Sequence, residues 1–142
     1  DLVIELAEAS PASSDDLGRI DLSILGFRRD IDHQFLTSDR KLYFYKRNGQ
    51  VVGYGYINRD LYGPFALLEK EDFPAVLAHA ENEAHKMGAS VVGFEVPTIN
   101  SSAISHLLNR GYRLEGFLGS IMSEKPFGKF ENYLLTSPPY IL

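Results

Sequence analysis

The chain has 142 residues, a mass of 15.9 kDa, no Cys, no Trp and a formal net charge of −5. That length suits one domain, two at most, and about two-thirds of the unfolded surface can be buried without a disulfide or metal staple. The missing Cys excludes a disulfide framework, a thiolate metal site and a cysteine nucleophile, and the negative charge argues against a sequence-independent grip on nucleic acid. No apolar run approaches the roughly 18 residues of a membrane span and no leader pattern is present, so neither a membrane nor a secretory route is expected and the location reads as cytoplasmic. The chain opens on Asp1 rather than Met, which suits a piece of a longer protein.

In chain order, Leu2-Val3-Ile4 reads as a strand, and Ser10 to Ser14 as a loop. Ser13 or Ser14 then caps a helix with Asp15 and Asp16 in its first turn, Leu17, Ile20 and Ile24 on one face, and Gly26 as its stop. A short helix is expected over Asp30 to Leu36. Lys41 to Arg47 is aromatic and extended, Asn48-Gly49 is a tight-turn signal, and Val51 to Ile57 is the returning strand. Strict alternation there puts Val52, Tyr54 and Tyr56 on one face and Val51, Gly53, Gly55 and Ile57 on the other. Tyr62 to Leu67 reads as another strand.

Phe73, Leu77, Ala80, Ala84 and Met87 recur at 4-3-4-3 spacing, the apolar stripe of a long helix that Gly88 ends. Ser90 to Val96 reads as a strand closed by Pro97. A helix starting near Asn100 or Ser101 turns Ala103, Ile104, Leu107 and Leu108 inward and stops at Gly111. Tyr112 to Ser123 is extended, and Glu131 to Leu135 is a last strand. The whole is an α+β domain over residues 1–142, its sheet mostly antiparallel with helices packed on it.

Two segments resemble the GNAT acetyltransferase superfamily: Gly49-Gln50-Val51-Val52-Gly53-Tyr54, like the hairpin opening of that fold, and Asn100 to Arg113, like its late N-x-x-A helix followed by Gly-aromatic. The resemblance spans roughly Leu2 to Leu135 and implies helices on both faces of the sheet. It also implies a splayed parallel pair, Tyr62–Leu67 beside Val91–Val96, that receives acetyl-CoA as cosubstrate for a small-molecule or peptide amine. In that arrangement Phe65, Ala66, Leu67 and Asn100 would meet the cofactor and Glu95 would be the base, with no metal required. Each has a plainer reading as well: Glu95 as a solvated or salt-bridged carboxylate, Asn100 as a helix N-cap, and the aromatic strand residues as core.

The chain departs from the family twice. Where a glycine-rich loop would cradle the diphosphate stands Leu68-Glu69-Lys70-Glu71-Asp72-Phe73-Pro74-Ala75, without glycine and with three carboxylates that suit the helix dipole but repel an anion. Where the leaving-group Tyr usually stands is Leu107, which cannot donate a proton, with His106 beside it read as a surface residue. These losses resemble the C-terminal half of a tandem acetyltransferase, together with Gly26-Phe27-Arg28-Arg29 and Gly63-Pro64. Its partner would be an N-terminal acetyltransferase half of the same protein. The alternatives are a self-sufficient acetyl-CoA-dependent N-acetyltransferase and a non-catalytic module that binds a partner. His33, His79, His85 and His106 lack ligand spacing, so no zinc site is expected, and Arg28-Arg29 and Arg40-Lys41 read as solvated pairs.

Overall fold

A computed structural model describes residues 1–8 and 10–136, so the domain expected over 1–142 is followed to Thr136, and residues 137–142 lie outside the described part. Five strands, β1 (Val3–Leu6), β2 (Lys41–Arg47), β3 (Gln50–Ile57), β4 (Tyr62–Leu67) and β5 (Tyr133–Leu134), form one open sheet in that order. All four pairings are antiparallel. The helices are α1 (Pro11–Ile24), α2 (Asp30–Leu36), α3 (Phe73–Lys86) and α4 (Ser101–Asn109). This is the α+β class that the sequence implies.

Strand alternation divides the core into two layers. Leu42, Phe44, Tyr54 and Tyr56 meet Leu17, Ile20, Ile24 and Leu36 of α1 and α2 on one face. Tyr43, Tyr45, Phe65 and Leu67 meet Phe73, Leu77, Ala84, Ala103 and Leu107 of α3 and α4 on the other. Helices therefore cover both faces. The alternation breaks at two places. Tyr45 pairs with Gly53 while Lys46 pairs with Val51, so Val52 is an extra residue and Val51 turns to the face of Tyr54. Gly55 pairs with Phe65 and Ile57 with Tyr62, so Gly63-Pro64 bulges and brings Tyr62 to the face of Phe65.

The glycines of β3 make room for side chains of β4. A Cβ on Gly55 would strike the Phe65 ring and one on Gly53 the Leu67 side chain, each from the residue directly opposite. The tight turn is as expected: Asn48 and Gly49 both take positive φ, 51° and 79°.

Several boundaries differ from the sequence reading. Helix α1 starts at Pro11, capped by Ser10 in a reciprocal capping box with Ser13, so the Ser-rich stretch belongs to the helix rather than to a loop. Ser90 to Val96 forms no strand, and no parallel pair exists among the described residues, because β5 takes the outer edge of β4. The Leu135 N–H bond to the Glu95 carbonyl, at 3.1 Å, ties that stretch beyond β5. The last strand is shorter than expected, with a 3₁₀ turn at Phe130–Asn132 before Tyr133–Leu134. In α4 Ala103 and Leu107 are buried, whereas Leu108 faces outward. No helix among the described residues is long and apolar enough to cross a membrane.

Gly63 has φ +114°, and a Cβ there would collide with the Leu135 carbonyl oxygen. Gly63→Ala is expected to lower unfolding stability by about 3 kcal/mol, since a left-handed backbone and a rigid main-chain neighbour both oppose the methyl. Urea denaturation followed by circular dichroism measures it.

Candidate functional site

Asp21 lies on the inward stripe of α1, four residues after Leu17 and three before Ile24, and has no exposed surface. A carboxylate buried in this way needs partners for both oxygens. The Tyr54 hydroxyl donates to Oδ1 at 2.6 Å, and His33 Nε2 reaches Oδ2 at 2.7 Å. His33 Nδ1 lies 2.8 Å from the Tyr56 hydroxyl. In the tautomer whose Nε2–H donates to the carboxylate, Nδ1 is placed to accept from the Tyr56 hydroxyl. The result is a hydrogen-bonded chain, Tyr56–His33–Asp21–Tyr54, that joins α2, α1 and β3.

Burial pushes both tyrosine hydroxyls well above their ordinary pKa, so neither ionises near neutrality. Both are fully enclosed, and both ring nitrogens of His33 are engaged. The chain fixes the imidazole, whose two nitrogens are both taken up within it.

Arg29 lies beside this chain. It is buried, its Nη1 donates to the Tyr133 hydroxyl at 2.7 Å, and its Nε is 3.6 Å from Asp32. Burial opposes its charge, but Tyr133, Tyr54, Asp21 and Asp32 outweigh burial and raise its pKa. Arg40 is buried too, donating to the Gly63 carbonyl at 2.7 Å and to the Thr136 hydroxyl. These two arginines are therefore core residues, contrary to the solvated surface expected of their basic pairs.

A cavity of about 210 Å³ opens between α1 and α2 where His33 meets the surface. Leu17 and Leu42 form its apolar floor, and Ser10, Ser13, Ser14, Asp30, Gln34 and Thr37 its polar wall. Ser10 and Ser13 are committed to the helix cap, Thr37 to the His33 carbonyl, and Asp30 to Arg28 through two bonds of 3.0 and 3.1 Å. Among the described residues, the Ser14 hydroxyl and the Gln34 amide are the polar lining groups left without a hydrogen bond to another residue. A second groove of about 420 Å³ runs along Asp16, Arg19, Lys46 and Gly49–Val51. Its two cations already serve Asp16, the Val51 carbonyl and Glu5.

The residues singled out from sequence gather around β5 instead. Phe65 and Ala66 are buried and paired on both sides, with Gly55 and Tyr54 on β3 and with Leu134 and Tyr133 on β5. Leu67 is buried, and its carbonyl accepts from Asn132 Nδ2 at 2.7 Å. Asn100 caps α4, accepting from the Ala103 N–H at 3.1 Å and donating to the Tyr133 carbonyl at 3.3 Å. Glu95 is half-buried, its carboxyl held above the usual range by burial, with Arg40 acting the other way. β5 thus takes the hydrogen-bonding edge of β4 at Phe65 and Ala66, while the segment that carries Glu95 and Asn100 bonds to Leu135 and Tyr133 and packs Phe94 against Tyr62 and Phe65.

At the start of α3, Asp72 makes no capping bond. It accepts from Arg47 at 2.6 Å, so one carboxylate that sequence assigned to the helix dipole anchors the hairpin. His106 is half-buried with its Nε2 enclosed, not a surface residue. Among the described residues no group of three or more acidic, His or Cys side chains could hold a metal ion.

Sequence reasoning passed over Asp21 and weighed His33 only as a metal ligand. The available signal was a carboxylate within an apolar helical stripe, together with a His three residues before a buried Leu36. Comparison of the chain with protein-family models, curated proteins and solved structures finds no match.

Asp21→Ala strands His33 and Tyr54 and is expected to cost about 3–5 kcal/mol, whereas Tyr54→Phe, which removes one hydroxyl, is expected to cost about 1–3 kcal/mol. Chemical denaturation of the two variants checks the ranking.

Proposed function

We propose that this chain is a GNAT-like domain without an acetyl-CoA site of its own. It acts as the C-terminal half of a tandem N-acetyltransferase, shaping the acceptor side or the contact with the half that holds the cofactor. The order of elements supports the fold reading: a strand, two helices, three antiparallel strands, a long helix and a later helix capped by Asn100, with helices on both faces.

The observation that carries the functional reading is β5 lying along β4. A pantetheine arm would need free main-chain groups at Phe65–Leu67, and Tyr133, Leu134 and Asn132 already take that edge. The start of α3 agrees with this. It has no glycine to admit a diphosphate, and the cation that reaches it, Arg47 of β2, is engaged by Asp72. Leu107 fills the position of the leaving-group Tyr and packs into the core. The cavity beside His33 is below the roughly 300–1,000 Å³ of pockets that hold drug-sized ligands, so it suits a small group and not a coenzyme.

Isothermal titration of the chain with acetyl-CoA tests the reading. The expected result is no saturable heat, or a dissociation constant on the order of millimolar or weaker. A micromolar constant would move the assignment to a self-sufficient acetyltransferase with Glu95 as its base.

A further inference from the structure

The tip of the β2–β3 hairpin is Asn48-Gly49, both residues exposed and both at positive φ. Of the six asparagines in the chain only Asn48 precedes a glycine. Asn58, Asn82, Asn109 and Asn132 precede Arg, Glu, Arg and Tyr. Asn100 precedes Ser101, but it is buried and its side-chain amide is bonded to the Ala103 N–H and the Tyr133 carbonyl. The space around Gly49 is open, since a Cβ built there would meet no atom within 4 Å. The last pair of the ladder is Arg47 with Gln50, so the bond that closes the turn bypasses the Gly49 nitrogen. That nitrogen makes no main-chain hydrogen bond among the described residues. A main-chain nitrogen with no side chain beside it and no bond to break can approach the neighbouring amide closely.

We propose that Asn48 is a site of self-modification, converted by its own main chain and water to isoaspartate. The Gly49 nitrogen attacks Asn48 Cγ. A bond forms between them, the Cγ–Nδ2 bond breaks, and Nδ2 leaves as ammonia with the proton that the Gly49 nitrogen gives up. Water then adds to the cyclic imide at one of its two carbonyls. Opening at the main-chain carbonyl leaves the chain running through Cγ, which is isoaspartate, and opening at Cγ gives aspartate. The consequence lies in what the tip fastens: Arg19 of α1 donates to the Val51 carbonyl at 2.7 Å, and Arg47 to Asp72 at 2.6 Å. Isoaspartate lengthens the main chain by one carbon between Arg47 and Gln50, and a two-residue turn closed by that pair has no place for it. The modified tip therefore loosens its hold on α1 and on the entry to α3. The inference is independent of the acyltransferase reading.

Mass-spectrometric peptide mapping of the folded chain, incubated in neutral and in mildly alkaline buffer, reads the result. The peptide holding Asn48 is expected to gain the mass of an NH-to-O exchange severalfold faster than any peptide holding another asparagine, with isoaspartate exceeding aspartate in the product. The rate is expected to rise in the alkaline buffer, because the attacking nitrogen must lose its proton. The wild-type melting temperature is expected to fall as the product accumulates. Asn48→Gly keeps a sequence that favours the same turn and is expected to hold its melting temperature through the same incubation. An Asn48 peptide that stays unchanged, or that is outpaced by another asparagine, overturns the proposal. Conversion to aspartate alone, a rate indifferent to pH, or a converted wild type that melts as it did before incubation overturns it as well.

Discussion

A carboxylate with no exposed surface constrains everything around it. Asp21 sits within the apolar stripe of α1, where an uncompensated charge would cost several kcal/mol, and the fold meets that demand with donors from two other elements. Tyr54 reaches it from the sheet and His33 from α2, and Tyr56 completes the imidazole's hydrogen bonding. Helix α2 is only seven residues long, too short to persist by its own propensity. His33 and Leu36 fasten it to the sheet, and the cavity at its edge exists because the helix is held there. The buried polar chain is therefore the support of the candidate site more than its reactive part.

The far edge of the sheet follows a different logic. Two residues of β5 could not hold a strand in place by their two pairings alone. Side-chain amides reinforce them: Asn132 bridges the carbonyls of Leu67 and Leu68 at 2.7 and 3.0 Å, and Asn100 reaches the Tyr133 carbonyl. The two Asn132 bonds and the pairing with β5 occupy main-chain groups along the outer edge of β4. The pairing of that edge and the absence of glycine from Leu68 to Ala75 are separate features, and each restricts close approach to main-chain groups.

Much of the fold was legible because its signals are local. The 4-3-4-3 stripe of α3, the Asn48-Gly49 turn and the Asn100 cap depend on neighbours within a few residues, and each stands where the spacing put it. Ser90 to Val96 has strand composition, but a strand exists only through its partner, and the partner position went to residues some forty places later. Val51 changed faces because of an extra residue that no local pattern marks. The candidate site was the least legible part. Asp21, His33, Tyr54 and Tyr56 are ordinary residues in sequence, and only tertiary packing brings them within hydrogen-bonding distance.

The hairpin tip between β2 and β3 is held from both layers. Arg19 of α1 donates to the Val51 carbonyl at 2.7 Å, and Arg47 grips Asp72 at the start of α3. The extra residue at Val52 makes the first of these bonds possible by turning Val51 toward α1. Two hydrogen bonds thus join α1 to the entry of α3 around the rim of the sheet, through the few residues of one tight turn, rather than through the layer of strands that separates the two helices.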